Sequence, residues 1–211
     1  MEREFLKIEK KLIVTTPWIL ENESGYSWTL VSRLGLFLKE AEKRYGRRDM
    51  AWTLLGIEFI EQRYSQIRYP LAGDKRMIVQ LSIDAAQDEV LALSHLAGTC
   101  IHLLAPAGSA GKRTVLEEGL AVLFSMDDAV YGYAHYAHLD SSAADKKERK
   151  AAALVKSLLD GDGDSIRKLR EQEGYFCRMT QDTFRKADVT ASLTLIKTLL
   201  SDYEDFMKYE E

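Results

Sequence analysis

The sequence predicts an α+β domain in which helices dominate and about three short strands form a small sheet beside one buried helix. Apolar residues recur at helical spacing through most of the chain, which is the pattern of amphipathic helices. Segments with β-forming composition are few and short, and they precede the most apolar helix: residues 52–60 (WTLLGIEFI), 66–69 (QIRY) and 77–81 (MIVQL). So few strands indicate a small sheet rather than a doubly wound one.

The composition is that of a globular chain of ordinary size. With 211 residues, 46% of them hydrophobic and 29% charged, we expect a single domain, residues 1–211. The net charge of -4 argues against a general nucleic-acid-binding protein. Cys100 and Cys177 form no CxxC pair, which favours two buried free thiols in a reducing cytosol. No signal-type segment or run of about 20 apolar residues occurs, so we expect a cytoplasmic protein that contacts no membrane.

Strands and motif-bearing helices are predicted for residues 1–126, and helices alone for residues 127–211. Residues 11–16 favour a strand that Pro17 ends. The first helix is predicted from Ser27 to a stop at Gly46. A helix is predicted over residues 129–138, and a long helix then ends at a break at residues 161–164 (GDGD). Two short helices follow over residues 165–173 and 181–185, the second with Thr180 as its cap. The last helix is predicted from about Thr190 to Phe206.

The most informative stretch is residues 91–124, an apolar helix followed by a loop of small residues and a second helix that opens on Glu117 and Glu118. Aliphatic side chains cover most of the first helix at about 100° per residue. So apolar a helix is a buried one, and we therefore expect its remaining polar stripe to face a cleft, water or a partner. The stripe consists of Ser94, His95, Gly98, Thr99 and His102.

Three segments in this order resemble the active-site core of gluzincin-type zinc metallopeptidases: MIVQL (77–81), CIHLLAP (100–106) and LEEGLAVLFS (116–125). In that family a strand precedes a helix with an HExxH motif, and the next helix supplies a third zinc ligand from an E-G-x-A-like motif. The resemblance is closest to small stand-alone bacterial HExxH proteins, and it extends in outline from about Trp28 to Phe184. It implies a zincin-like fold, in which the small sheet packs beside the active-site helix.

The resemblance also implies that half of the zinc site is missing. Two histidines at i and i+4 can hold one Zn²⁺, and the Glu after the first histidine accepts a proton from the zinc-bound water. Aligned on this motif, His102 is the second histidine and Glu118 the third ligand. Gly98 and Thr99 stand in place of the first histidine and the general base. We therefore expect a pseudo-metallopeptidase with no catalytic residue in place and no cofactor, or with zinc held weakly by His102 and Glu118.

The other residues of the candidate binding cleft receive simpler interpretations. His95 lies about 10.5 Å from His102 along the helix axis, at about 1.5 Å per residue, which is too far to share a metal. We expect Glu117 to face solvent or to cap its helix, and His102 to donate a hydrogen bond to Glu118. Glycine at position 98 predicts open space beside His102. The candidate cleft thus comprises His95, Gly98, Thr99, His102, Glu117 and Glu118.

Three functions stay open from the sequence. The first is a catalytically inactive scaffold that binds a peptide or protein, with a peptide along the edge of the strand at residues 77–81. The second is a hydrolase with an altered metal site made of His102, Glu118 and a ligand from elsewhere, His135 or His138. The third is an interaction protein that uses the helical C-terminal half, residues 127–211. Oligomeric state is open, and several tyrosines leave room for a homodimer.

Overall fold

The computed structural model describes residues 29–62, 65–71, 73–109, 111–127 and 146–206. Two of the predicted elements lie outside these residues. They are the strand at residues 11–16 and the helix at residues 129–138, which carries His135 and His138. Within the described residues, no helix is both long and apolar enough to cross a membrane.

The described part of the chain contains seven α-helices and three strands, which confirms the α+β class and the three predicted strands. Two single turns of 3-10 helix, at Ile83–Ala86 and Phe176–Arg178, join some of them. The elements are α1 Leu30–Tyr45, β1 Thr53–Ile60, β2 Gln66–Arg68, β3 Arg76–Ser82, α2 Glu89–Leu104, α3 Val115–Ser125, α4 Lys146–Gly161, α5 Ser165–Gln172, α6 Gln181–Lys186 and α7 Leu193–Leu199.

Local sequence signals set most helix ends. Thr29 and Thr180 form capping boxes at the starts of α1 and α6, where each hydroxyl accepts a hydrogen bond from a backbone N–H three residues on. Gly46 ends α1 with a φ of 92°, a conformation that favours glycine. The predicted starts and stops of α1, α5 and α6 are confirmed to within a few residues for this reason.

The sheet is mixed, and β3 is its central strand. The strand order is β1-β3-β2. β1 runs parallel to β3 with Phe59 opposite Leu81, and β2 runs antiparallel to β3 with Ile67 opposite Val79. The expectation that a peptide adds to the edge of the strand at residues 77–81 is therefore wrong, because β1 and β2 pair with that strand on its two sides.

Helix α2 lies in the middle of the hydrophobic core. Asp88 starts it by accepting a hydrogen bond from the backbone N–H of Leu91 at 3.0 Å. The helix packs between α1 and α3 and also contacts β3. Both cysteines are free thiols, but Cys177 is half-buried, so the expectation of two buried thiols holds only for Cys100. The buried residues of α2 are Ala92, Leu93, Leu96, Ala97, Thr99, Cys100, Ile101, Leu103 and Leu104.

Helices α3 and α4 come into backbone contact at Gly119. A Cβ atom at this position would lie 2.4 Å from the carbonyl oxygen of Ala151 and 2.8 Å from Cγ2 of Val155. Any side chain here would push the two helices apart. The glycine of the LEEGLA segment therefore has a packing role.

The last helix is shorter than predicted. Helix α7 ends at Leu199, and the chain then pairs with the loop before α3, where the N–H of Tyr203 donates to the carbonyl of Arg113 at 2.9 Å. Tyr203 and Phe206 keep the apolar spacing that predicted a helix. These two side chains instead pack with Val115 in a hydrophobic cluster that is separate from the main core.

Candidate functional site

His102, near the C-terminal end of α2, lies against the two adjacent carboxylates at the start of α3. Its Nδ1 atom is 2.8 Å from Oε1 of Glu117, a hydrogen bond in which the ring N–H donates. Its Nε2 atom lies 3.8 Å from Oε1 of Glu118. The prediction that His102 lies beside the carboxylates of α3 is confirmed, but the hydrogen-bond partner is Glu117 rather than Glu118.

Glu117 is buried, so the expectation that it faces solvent is wrong. Only 2% of the residue is exposed. Thr114 caps α3 by accepting a hydrogen bond from the N–H of Glu117 at 3.2 Å. A Glu side chain at the third position of a helix commonly accepts a hydrogen bond from the backbone N–H of the capping residue. The carboxylate of Glu117 instead accepts one from the ring of His102. The loss of hydration at Glu117 is offset by a charge-assisted hydrogen bond.

Arg113, just before the cap, closes the other side of the site. Its Nη1 donates to Oε1 of Glu118 at 2.9 Å, the same oxygen that faces Nε2 of His102. The four side chains thus form a row in which cations and anions alternate: Arg113, Glu118, His102 and Glu117. We call this row the charge cluster.

The charge cluster sets the protonation of its histidine. Burial by itself lowers the pKa of His102, and Arg113 lowers it further. The charges of Glu118 and Glu117, together with the hydrogen bond to Glu117, outweigh both effects and leave the pKa above its ordinary value. The charge cluster therefore stabilises the imidazolium form of His102 relative to a histidine in water.

Two further groups lie within reach of the charge on Glu117. Burial and the charge of Glu117 raise the pKa of the Tyr69 phenol, which follows β2. The same two causes raise the pKa of the Cys177 thiol. The Tyr69 ring also packs on Trp52, with ring centroids 5.3 Å apart. The raised pKa values keep both the phenol and the thiol protonated, so neither is activated as a nucleophile.

The position of the missing first histidine faces α3 at ordinary contact distance. A Cβ at Gly98 would lie 3.5 Å from the carbonyl oxygen of Ala121 and 3.7 Å from Cβ of Ser125. Both residues belong to α3, one to two turns after the carboxylates. Helix α3 therefore bounds the space beside Gly98 on this side and leaves room for a Cβ atom.

Thr99 and His95 do not join the charge cluster. Thr99 is buried, and its hydroxyl donates to the carbonyl of His95 one turn earlier at 2.7 Å, so it is engaged within its own helix. The carboxylates that act on His95 are those of Asp84 and Asp88, near the start of α2, and burial lowers the pKa of this histidine. Of the predicted cleft, the structure brings together His102, Glu117 and Glu118 and places Gly98 nearby.

The charge cluster has the parts of an incomplete metal site. A histidine that binds zinc through one ring nitrogen commonly donates the N–H of the other to a carboxylate, as Nδ1 of His102 does to Glu117. A catalytic zinc needs three protein ligands, and His102 with Glu118 supplies two. Among the described residues, no group of three His, Cys, Asp or Glu side chains could hold a metal ion.

Arg113 is not among the residues predicted for the site, because it lies in the loop that joins the two helices. The one available signal was its place directly before a capping threonine and five residues before Glu118. Comparison with protein families, curated proteins and solved structures finds no match to this chain.

Proposed function

We propose that the chain is a metallopeptidase-like scaffold that carries out no zinc-dependent hydrolysis and acts by binding a peptide or protein. The observation that carries this proposal is the closure of the charge cluster. Both ring nitrogens of His102 face carboxylates, and Glu118 is already held by Arg113. A metal would have to displace a proton from the histidine and a guanidinium from the carboxylate.

The chemistry of the neighbouring positions supports the same proposal. Water activation on zinc needs a base beside the metal-bound water. Thr99 at the base position is a hydroxyl bonded to the backbone of α2, and Gly98 offers no ligand. The features that remain, a buried carboxylate and a compact salt-bridge row, suit a structural centre of the fold.

For the binding surface we propose the groove beside β2, which the end of β1 and the residues that follow it also line. It is an open hollow of about 470 Å³. Gln66 and Gln80 in its lining belong to a polar ladder across the sheet, in which Gln80 donates to Glu58 and Gln66 donates to Gln80 at 2.8 Å. Exposed groups of both charges and a short strand edge are features that suit an extended peptide. The lining residues are Ile60, Glu61, Gln62, Gln66, Ile67, Arg68 and Gln80.

The first experiment measures the metal content of protein purified without chelators, together with peptidase activity. We expect far less than one zinc per chain and no cleavage of unfolded peptide substrates. Near-equimolar zinc that disappears in His102→Ala would refute the proposal. Thr190→Ala, far from the charge cluster in sequence, serves as the matched control for handling and expression.

A second experiment tests the resemblance itself. The double variant Gly98→His with Thr99→Glu restores the HExxH pattern. We expect it to bind zinc more tightly than the unchanged protein, and the gain to vanish when His102→Ala is added. If the double variant stays folded and gains no zinc affinity, the alignment with the gluzincins is wrong.

A third experiment tests the groove. Peptides selected on the immobilised protein should lose affinity for Arg68→Glu, because this change reverses an exposed charge in the groove without touching the core. Lys39→Glu on α1 reverses an exposed charge away from the groove and controls for net charge. Equal loss in both variants would remove the groove from the proposal.

A further inference from the structure

The last described segment, residues 201–206, lies across the start of α3 and is called here the C-terminal strap. The N–H of Val115 donates to the carbonyl of Ser201 at 3.1 Å, and the N–H of Tyr203 donates to the carbonyl of Arg113 at 2.9 Å. Asp202 forms an antiparallel bridge with Thr114 between these two hydrogen bonds. The strap therefore binds the backbone of three consecutive residues that lead into the charge cluster.

Side chains also hold the strap, at a place separate from the main core. Tyr203 and Phe206 pack with Val115 and Ala151 in a small hydrophobic cluster. The ammonium of Lys147 lies 4.1 Å from the centroid of the Tyr203 ring, and Lys112 pairs with Asp202 at 3.0 Å. Because this cluster is separate from the main core, the strap can open while the main core stays folded.

The strap and the charge cluster are connected through Arg113. The backbone carbonyl of Arg113 accepts the hydrogen bond from the strap, and its guanidinium donates to Glu118. Glu118 in turn faces Nε2 of His102. Release of the strap removes the restraint on Arg113, whose side chain is about half exposed and can then leave Glu118.

We propose that the C-terminal strap is a detachable latch: when docked it holds Arg113 against Glu118 and keeps the charge cluster closed, and when released it opens the His102–Glu118 pair. The coupling is reciprocal, since whatever binds the released strap also favours the open charge cluster. This inference does not depend on the proposed function, because it concerns only contacts within the chain.

Amide hydrogen exchange of the unchanged protein tests whether the strap opens by itself. The amides of Val115 and Tyr203 should exchange at least about tenfold faster than those of core residues in α2 such as Ile101, because they are released by local opening. Exchange of both groups at the same rate, through global unfolding only, would overturn the proposal.

Ring signals of His102 in NMR spectra test whether the latch acts on the charge cluster. The double change Tyr203→Ala with Phe206→Ala removes the apolar anchors of the strap, and Arg113→Gln removes the guanidinium directly. Both should move the His102 signals in the same direction, and combining them should add nothing. The control Leu193→Ala changes an exposed residue of α7 and should leave the signals unmoved.

The variants also separate the latch from simple loss of structure. Arg113→Gln should shift the His102 signals while the Tyr203 amide keeps its slow exchange. Asp202→Asn, a milder change, replaces the double variant if that one fails to fold. If a folded variant with a fast-exchanging strap shows His102 signals at their original position, the latch does not exist.

Discussion

Replacing Arg170 with methionine should cause a large loss of stability. Only 8% of this residue is exposed, and its guanidinium binds backbone carbonyls where the ends of α1 and α2 meet. Carbonyls at a helix C-terminus lack partners within the helix and carry partial negative charge, which a cation satisfies. The accepting residues are Tyr45 (2.8 Å), Gly46 (2.7 Å), Arg47 (2.9 Å), Leu104 (3.2 Å) and Gly174 (3.4 Å).

The size of the loss in stability follows from the hydrogen bonds that the backbone carbonyls lose. Burial lowers the pKa of Arg170 to about 10, so the side chain stays charged at neutral pH although it is removed from water. Methionine fills a similar volume but donates nothing, so the buried carbonyl of Tyr45 loses the guanidinium, while the carbonyl of Leu104 keeps the backbone N–H of Asp49 as a donor. An unsatisfied buried carbonyl costs about 1–3 kcal/mol and a hydrogen bond from a charged donor contributes about 1.5–3 kcal/mol, so we expect the free energy of unfolding to fall by about 3–5 kcal/mol.

Urea unfolding followed by circular dichroism measures this loss. Arg167→Met is the matched control, because Arg167 is on the same helix and also donates to carbonyls of α1, at Lys43 and Arg44, but in more exposed positions. It should cost less than about 1 kcal/mol. If Arg170→Met lowers the free energy of unfolding by less than about 1 kcal/mol, the view that these carbonyls depend on the guanidinium is refuted.

Three further predictions concern the helices of the candidate site. Gly119→Ala should destabilise the protein by about 2–4 kcal/mol in urea unfolding, because the new Cβ meets the backbone of Ala151; an unchanged midpoint would contradict the close approach. Gly98→Ala should instead stabilise by about 0.5–1 kcal/mol, since its Cβ has ordinary contacts and alanine favours a helix. Because the folded-state pKa of His102 is raised, its contribution to stability is complete below the unfolded value of about 6.5 and is lost as pH rises through the folded value. His102→Gln should remove that pH dependence, and an identical profile in both proteins would show that Glu117 and the histidine are not coupled.

The sequence predicted elements well where the signals are local. The apolar spacing of α2, the capping threonine at position 180 and the glycine at position 46 each act within one or two helical turns. Their outcome therefore depends little on the rest of the chain. The prediction placed the C-terminal end of α7 too late in the chain. Tyr203 and Phe206 have helical spacing, but they lie outside the helix and pack against Val115 of α3.

The candidate site was predicted in part. The resemblance to the gluzincins implied that His102 lies close to the carboxylates of α3, and the structure places it there. It could not decide which of two adjacent carboxylates turns inward, because that depends on the angle at which α2 and α3 cross. It also could not show that Arg113 covers Glu118, since a loop residue has no periodic pattern that points to a partner.

By itself, the sequence determined the α+β composition, the positions of the three strands and most helices, and the pairing of one histidine with an acidic helix start. Tertiary structure alone decided that β3 is the central strand, that Glu117 is the buried partner of His102, and that residues 201–206 hold the start of α3. The physical reason is the range of the forces involved. Periodicity and capping are satisfied between near neighbours in the chain, whereas strand order, carboxylate burial and strap docking depend on contacts between segments far apart in sequence.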